Sequence, residues 1–276
     1  MVHKAILTTE KVIKNILAQA ANKRVFMRSE TSIVVCIVSG GLDSVCFAAT
    51  LATEHDIYMI SFAYGQRAKK REVDAARHFA KALRAKEHRV IDISFMKELY
   101  GKSNALTDSR QKLSGDFAQS LVVPIRNAIF IAIAGAWAMS INAKAVAYGA
   151  HSGDVPHYAD CRPEFARAMA KALNIADADS IKAGHRHEVE IVSPAVQGLS
   201  KQELLKAGYA ALGDSLFRTW SCYSNGVKKA GRYVHCGSCE SCISRRKAFS
   251  DAQIHDRTRY ATTTRAAGRE GQNGRE

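Results

Sequence analysis

Two familiar nucleotide signatures are missing from this chain. Its 276 residues contain no GxxxxGK[ST] run, which excludes the lysine-on-phosphate cradle of P-loop NTPases, and no GxGxxG fingerprint for a dinucleotide. Long apolar runs are also missing. Nothing approaches the roughly 20 residues that span a bilayer, and the first residues lack a signal-peptide pattern. A membrane role is therefore not expected, and the cytoplasm is the expected compartment. Acidic residues are scarce beside basic ones, 26 against 40, and the formal net charge is +14. That balance suits polyanionic partners such as nucleotides or nucleic acid, and bears on association rather than on fold. The seven cysteines are an odd count in a chain without a secretory pattern, so a disulfide framework is not expected.

What the chain does have is organised around one stretch. The β-branched run 33–38 reads as a buried parallel strand. Ser39-Gly40-Gly41 ends it, and Leu42-Asp43-Ser44 opens an apolar helical run through Val45, Phe47, Ala48 and Leu51. A strand, a glycine turn and a helix N-terminus aim several N–H groups and the positive end of the helix dipole at one point, where an anion is stabilised. The glycines remove side chains that would hold a phosphate off the backbone. The same residues also read as a tight turn with Ser or Asp as the helix N-cap. The hexapeptide SGGLDS resembles the pyrophosphate-binding loop of the ATP pyrophosphatases, which split ATP between its α and β phosphates. That resemblance implies that Ser39, Gly40, Gly41, Leu42 and Ser44 hold the phosphates and that Asp43 helps place magnesium.

Further strands are expected at 56–64, 87–93, 144–149 and 188–192, with helices at 69–84, 128–139 and 163–173. This strand–helix rhythm predicts an α/β fold with a doubly wound, mostly parallel sheet. Ser61, Tyr64 and Gln66 fall at the C-terminal end of the second strand, where open α/β sheets place ligands. They read as nucleotide-facing or as a polar strand exit. Lys69, Lys70 and Arg71 read as a solvated face. Residues 95–120 lose periodicity and gather Gly, Ser, Asn and Asp, a loop or insertion able to lie over a site. Arg126 and Asn127 precede an apolar helix, where a guanidinium either forks a phosphate or carboxylate or is an ordinary exposed helix start.

After the 144–149 strand comes the densest polar stretch, with His151, Asp154, His157, Tyr158, Asp160, Cys161, Arg162 and Glu164. It serves either to recognise a polar heterocycle or as a solvated loop. Cys161 reads as a nucleophile or, more commonly for a lone thiol, as a buried structural residue. Ser200-Lys201-Gln202-Glu203 is a capping box, a structural helix start.

Four cysteines cluster: Cys222 upstream, then Cys236, Cys239 and Cys242 in CGSCESC. Four thiolates over a short span fit a closed tetrahedral zinc site, and four cysteine ligands also suit an iron–sulfur cluster. A closed site has no open coordination position, so its metal serves stability rather than catalysis. Trp220, Ser221 and Tyr223 flank the first ligand. Arg245, Arg246 and Lys247 follow the last one and read as a solvated helix face, with nucleic-acid contact as the alternative. The expected division is an N-terminal helix within 1–31 (its stripe at 9–21), an α/β domain at 32–215, a zinc-binding subdomain at 216–256 and a disordered polar tail at 257–276.

In chain order, SGGLDS, SFAYGQR, VPIRN, DCRPEF, TWSCY and CGSCESC resemble the 7-cyano-7-deazaguanine synthase family, over roughly residues 33–249. The resemblance implies a fold of the ATP-pyrophosphatase (adenine nucleotide alpha hydrolase-like) type, with zinc on Cys222, Cys236, Cys239 and Cys242, commonly as a homodimer. It implies ATP, 7-carboxy-7-deazaguanine and ammonia as substrates. The carboxylate is adenylated, ammonia displaces AMP, and a second activation dehydrates the amide to the nitrile, a precursor of queuosine or archaeosine in tRNA. Arg126 and Asn127 are then expected near the adenylate or acyl oxygens, and His151, Asp154, Asp160, Arg162, Glu164 and Trp220 on the substrate side.

The chain departs from the family pattern at Ile125, where a small residue is usual, in GDVPHYADCRPEF, and in a longer spacer between Cys222 and Cys236. These departures touch the acceptor side more than the ATP side. Relatives in antiphage operons join the activated deazapurine to a protein amine, so a protein acceptor is the alternative. A zinc-knuckle RNA-binding module without turnover is a further reading, against which the intact SGGLDS counts. Direct nucleic-acid binding is not expected.

Overall fold

The computed structural model describes residues 32–262, except 103 and 114. The helix expected at 9–21 and the last part of the expected tail lie outside the described residues. Five parallel strands form the main sheet: β1 (Ile33–Ile37), β2 (Asp56–Ala63), β3 (Glu87–Asp92), β4 (Ala145–Ala147) and β5 (Glu190–Val192), in the order β3-β2-β1-β4-β5. The helices are α1 (Leu42–Leu51), α2 (Lys69–Ala82), α3 (Met96–Tyr100), α4 (Arg126–Ser140), α5 (Pro163–Ala176), α6 (Ala178–Lys182), α7 (Lys201–Leu212) and α8 (Glu240–Asp251). This is the doubly wound α/β architecture that the strand–helix rhythm predicts.

The sheet is apolar on both faces because helices cover both. Val35, Ile60, Val146 and Ile191 pack with Ile131, Ala134 and Ala138 of α4. One residue along each strand, Val34, Cys36, Ile57 and Met59 turn the other way. They meet Val45 and Phe47 of α1, Phe79 of α2 and Leu204 and Leu205 of α7. The period of two along β1 thus feeds two cores.

Several expectations need correction. The 22-residue segment Gln119–Ser140, with a mean hydropathy of 1.7 over an 18-residue window, is long and apolar enough by length and composition to cross a membrane. The expectation that no stretch comes close therefore fails. Its helical part is nevertheless sheet core, with Ile131, Ala134 and Ala138 fully buried. Residues 257–262, which composition assigns to a disordered tail, are paired: His235 bridges to Tyr260, and the Thr262 amide donates to the Cys236 carbonyl at 3.1 Å. Arg245, expected on a solvated face, is 1% exposed and donates to the hydroxyls of Thr219 (2.7 Å), Ser221 (2.9 Å) and Thr258 (3.0 Å). Arg246 stacks over Tyr260, and Arg71 over Tyr233, each with its guanidinium carbon 4.0 Å from the ring centroid. Between Cys222 and Cys236 the spacer forms an antiparallel hairpin, β6 (Val227–Lys229) and β7 (Arg232–Val234).

Candidate active site

The strand order reverses between β1 and β4, so the loops leaving their C-terminal ends diverge and open a crevice, the usual ligand position in such sheets. Glycine makes this geometry possible at two points. Gly40 has φ +86°, and a Cβ there would lie 2.3 Å from the Glu72 carbonyl of α2. At Gly149, beyond β4, a Cβ would lie 2.7 Å from both Cα and N of Ser44. The two loops therefore touch, and the crevice between them is a cavity of about 280 Å³.

One end of the cavity is the SGGLDS bend. Ser44 Oγ accepts from the Ser39 amide (3.2 Å) and lies 3.1 Å from Ser39 Oγ, which accepts from the Gly41 amide at 3.2 Å. The N-cap of α1 is Gly41, with no side-chain cap, so the alternative of a Ser or Asp cap does not hold. Asp43 Oδ2 sits 3.0 Å from Lys201 Nζ and 4.0 Å from His151 Nε2. Burial pushes the Asp43 carboxyl up, and the Lys201 and His151 charges more than reverse this, leaving it below the usual range. Asp154 accepts from the His151 amide at 3.0 Å, and burial raises its carboxyl.

Facing the bend, Asn127 at the start of α4 donates its amide to Asp160 Oδ2 (3.2 Å) and its side chain to the Asp160 carbonyl (3.5 Å). The Arg126 guanidinium lies 5.9 Å from the ring centroids of both Tyr64 and Phe130. Burial disfavours its charge, but Tyr64 and Asp160 over-compensate and keep it protonated. Gln66 braces the exit of β2: its Oε1 accepts from the Tyr64 amide (2.8 Å), and its Nε2 donates to the Phe62 carbonyl and to Glu72 Oε2, both at 2.9 Å. Burial pushes Glu72 up to about 7, against the Gln66 hydrogen bond and the Arg126 charge. Cys161 is 6% exposed, and burial beside Asp154 and Asp160 pushes its thiol far up, which favours the structural reading over the nucleophile.

Of the residues singled out in the sequence, Ser39, Gly41, Leu42, Asp43, Ser44, Tyr64, Gln66, Arg126, Asn127, Asp154, Asp160 and Trp220 line the cavity. Five do not. Gly40 backs onto α2. Ser61 Oγ turns to the Val38 carbonyl (2.5 Å) and His88 (2.8 Å). His151 stands behind Asp43, Arg162 Nε donates to the Val155 carbonyl at 3.3 Å, and Glu164 is exposed. Sequence reasoning missed Lys201, Glu72 and Glu240. The capping box at Ser200 is real, with the Glu203 amide 3.2 Å from Ser200 Oγ, but it also delivers Lys201 to Asp43. A lysine in a first helical turn works against the dipole, and that was the signal available.

The four sulfurs of Cys222, Cys236, Cys239 and Cys242 all lie within 4.8 Å of one another, and Cys236 and Cys242 are 3.8 Å apart. Tetrahedral zinc with Zn–S near 2.3 Å sets sulfurs about 3.8 Å apart, so the donor set fits zinc. The amides of Cys236 and Cys239 donate to Cys222 Sγ (3.5 Å) and Cys236 Sγ (3.4 Å), as thiolate ligands require. His235 is turned elsewhere: Nε2 accepts from the Ser221 amide at 3.2 Å and the ring packs on Trp220. The module reaches the bend directly, because the Trp220 amide donates to the Gly40 carbonyl at 2.8 Å.

The family model described as "Queuosine biosynthesis protein QueC" matches residues 33–253. A 7-cyano-7-deazaguanine synthase from Pseudoalteromonas translucida (strain TAC 125) is 39% identical over 235 residues, 83% of this chain and 99% of that protein. One from Allorhizobium ampelinum (strain ATCC BAA-846 / DSM 112012 / S4) is 41% identical over 234 residues, 83% of this chain and 91% of that protein. Among solved structures, the NH3-dependent NAD synthetase from Campylobacter jejuni subsp. jejuni NCTC 11168 aligns with a TM-score of 0.37 and 13% identity, over 75% of this chain and 95% of that one. That last likeness is too weak to carry an argument. With the family model spanning the sheet, the crevice and the cysteine module alike, the chain belongs to the QueC family of queuosine biosynthesis proteins.

Proposed function

We propose that this chain is an ATP-dependent carbon–nitrogen ligase that converts 7-carboxy-7-deazaguanine, with ammonia, through the amide to 7-cyano-7-deazaguanine. The observation that carries the reading is a single cavity in which the glycine bend of SGGLDS faces the Arg126–Asn127–Asp160 group.

A carboxylate is a poor electrophile because oxide would have to leave. Adenylation solves this. A carboxylate oxygen attacks the α phosphorus of ATP, the α–β P–O bond breaks, and pyrophosphate departs. Ammonia then adds to the acyl carbon, AMP leaves with the C–O electron pair, and the nitrogen loses a proton. The amide oxygen attacks the α phosphorus of a second ATP. Loss of AMP and of both N–H protons leaves the C≡N bond.

The groups of this chain divide accordingly. Ser39, Ser44 and the amides at the start of α1 hold pyrophosphate, with Lys201 supplying positive charge. Asp43 is the residue to hold magnesium, which when bound neutralises phosphate charge. Arg126 and Asn127 stabilise charge on the adenylate and acyl oxygens. Phe62, Leu106, Leu121, Val123 and Phe130 form the apolar wall that keeps water from the mixed anhydride. The four cysteines hold zinc in a closed site, which steadies Trp220 against the bend.

Purified protein with ATP and 7-carboxy-7-deazaguanine, with and without ammonium, tests the reading by product mass. AMP, pyrophosphate and the nitrile are expected, the nitrile only with ammonium. Absence of AMP, or an unchanged base, refutes it.

A further inference from the structure

We propose that Glu240, held by Tyr223, reads the paired-donor edge of the deazapurine, so that the four-cysteine module selects the substrate base as well as stabilising the fold. The inference rests on the function proposed above.

A 2-amino-6-oxo base presents N1–H and 2-NH2 side by side, and a carboxylate can accept from both at once. Among the described residues, five carboxylates line the cavity: Asp43, Glu72, Asp154, Asp160 and Glu240. Four are engaged by a cation or an amide. Lys201 holds Asp43 (3.0 Å), Gln66 holds Glu72 (2.9 Å), and backbone amides of His151 (3.0 Å) and Asn127 (3.2 Å) hold Asp154 and Asp160. Glu240 differs. Its Oε2 accepts from the Tyr223 hydroxyl at 2.7 Å, which fixes the carboxylate plane and leaves acceptor sites on both oxygens.

The cysteine module anchors both partners. Tyr223 follows Cys222, and Glu240 lies between Cys239 and Cys242, all three cysteines being at most 1% exposed. Glu240, Ser241 and Ser244 are the cavity-lining residues of α8, while Cys242 joins the sulfur cluster and Phe249 enters the core. A glutamate in a first helical turn also complements the helix dipole. That role requires neither Tyr223 nor a place on the cavity wall, and it entails no selectivity among bases.

The test is Glu240→Gln in the full zinc-loaded chain. The change keeps the shape but sets an amide NH2 against the donors of the base. Calorimetry measures Kd for 7-carboxy-7-deazaguanine, for its analogue lacking the 2-amino group and for ATP, alongside zinc content. The wild type is expected to prefer the amino base by about tenfold or more, as a site built to receive a donor rejects an analogue lacking it. In E240Q that preference is expected to fall to roughly twofold, with ATP affinity and zinc content kept. Tyr223→Phe is expected to narrow the preference in the same direction, and decides the matter should E240Q not fold. Variants that keep the wild-type preference overturn the inference alone. A wild type that binds ATP but neither base overturns the proposed function, and this inference with it.

Discussion

Ile125 places a β-branched, 67% exposed side chain at φ +49°, a left-handed backbone at the N-cap of α4. Such a conformation costs roughly 1–3 kcal/mol for a non-glycine residue, and it sits immediately before Arg126 and Asn127. Ile125→Gly removes that strain and little packing. After glycine's own entropic cost it is expected to stabilise the fold by about 1 kcal/mol in urea denaturation; a loss of stability contradicts this. Glu72 carries a pH signature. Its carboxyl is raised from 4.5 to about 7, so between those values the folded state binds more protons than the unfolded one. Stability therefore falls as pH rises through that window, and Glu72→Gln is expected to flatten the profile. Asp43→Ala is expected to slow pyrophosphate release on the order of 10²–10³-fold, with zinc content intact. The residues with local signatures, Ser39 to Ser44 and the four cysteines, were legible in the sequence. Lys201, Glu72 and Glu240 were not, because each acquires its role from a partner or a cavity supplied by distant segments.

Elements were legible where their hydrophobic period was long. The five main strands and the helices over 42–51, 69–82, 126–140 and 163–176 follow from apolar spacing, with ends off by at most three residues. The hairpin of β6 and β7 escaped because VKKAGRYV is short and basic and offers no alternation to read. The burial of Arg245 is hidden for a related reason: three hydroxyls from separate segments receive it, and its own helix gives no hint of them. Arg245→Lys loses the fork that reaches all three and is expected to cost about 2 kcal/mol, seen as a lower Tm. The contact between the bend and the β4 loop tests the crevice itself. Gly149 has room for no Cβ beside the Ser44 backbone. Gly149→Ala is expected to weaken ATP binding at least tenfold, about 1.4 kcal/mol or more, while leaving zinc bound; unchanged ATP affinity argues against the two loops forming one site.

At the scale of the whole molecule, the sheet and the cysteine module meet at the bend through the Trp220–Gly40 hydrogen bond of 2.8 Å. Cys239→Ser should therefore abolish zinc binding, lower Tm, and weaken ATP binding together with it. The central claim is that both carboxylate oxygens of the base leave as part of AMP. Substrate labelled with ¹⁸O in its carboxylate, turned over with ATP and ammonium and followed by mass spectrometry of the nucleotide and phosphate products, examines this directly. The account predicts one labelled oxygen in the AMP from each of the two activations and none in pyrophosphate. Label in inorganic phosphate, with ADP in place of AMP, would contradict it.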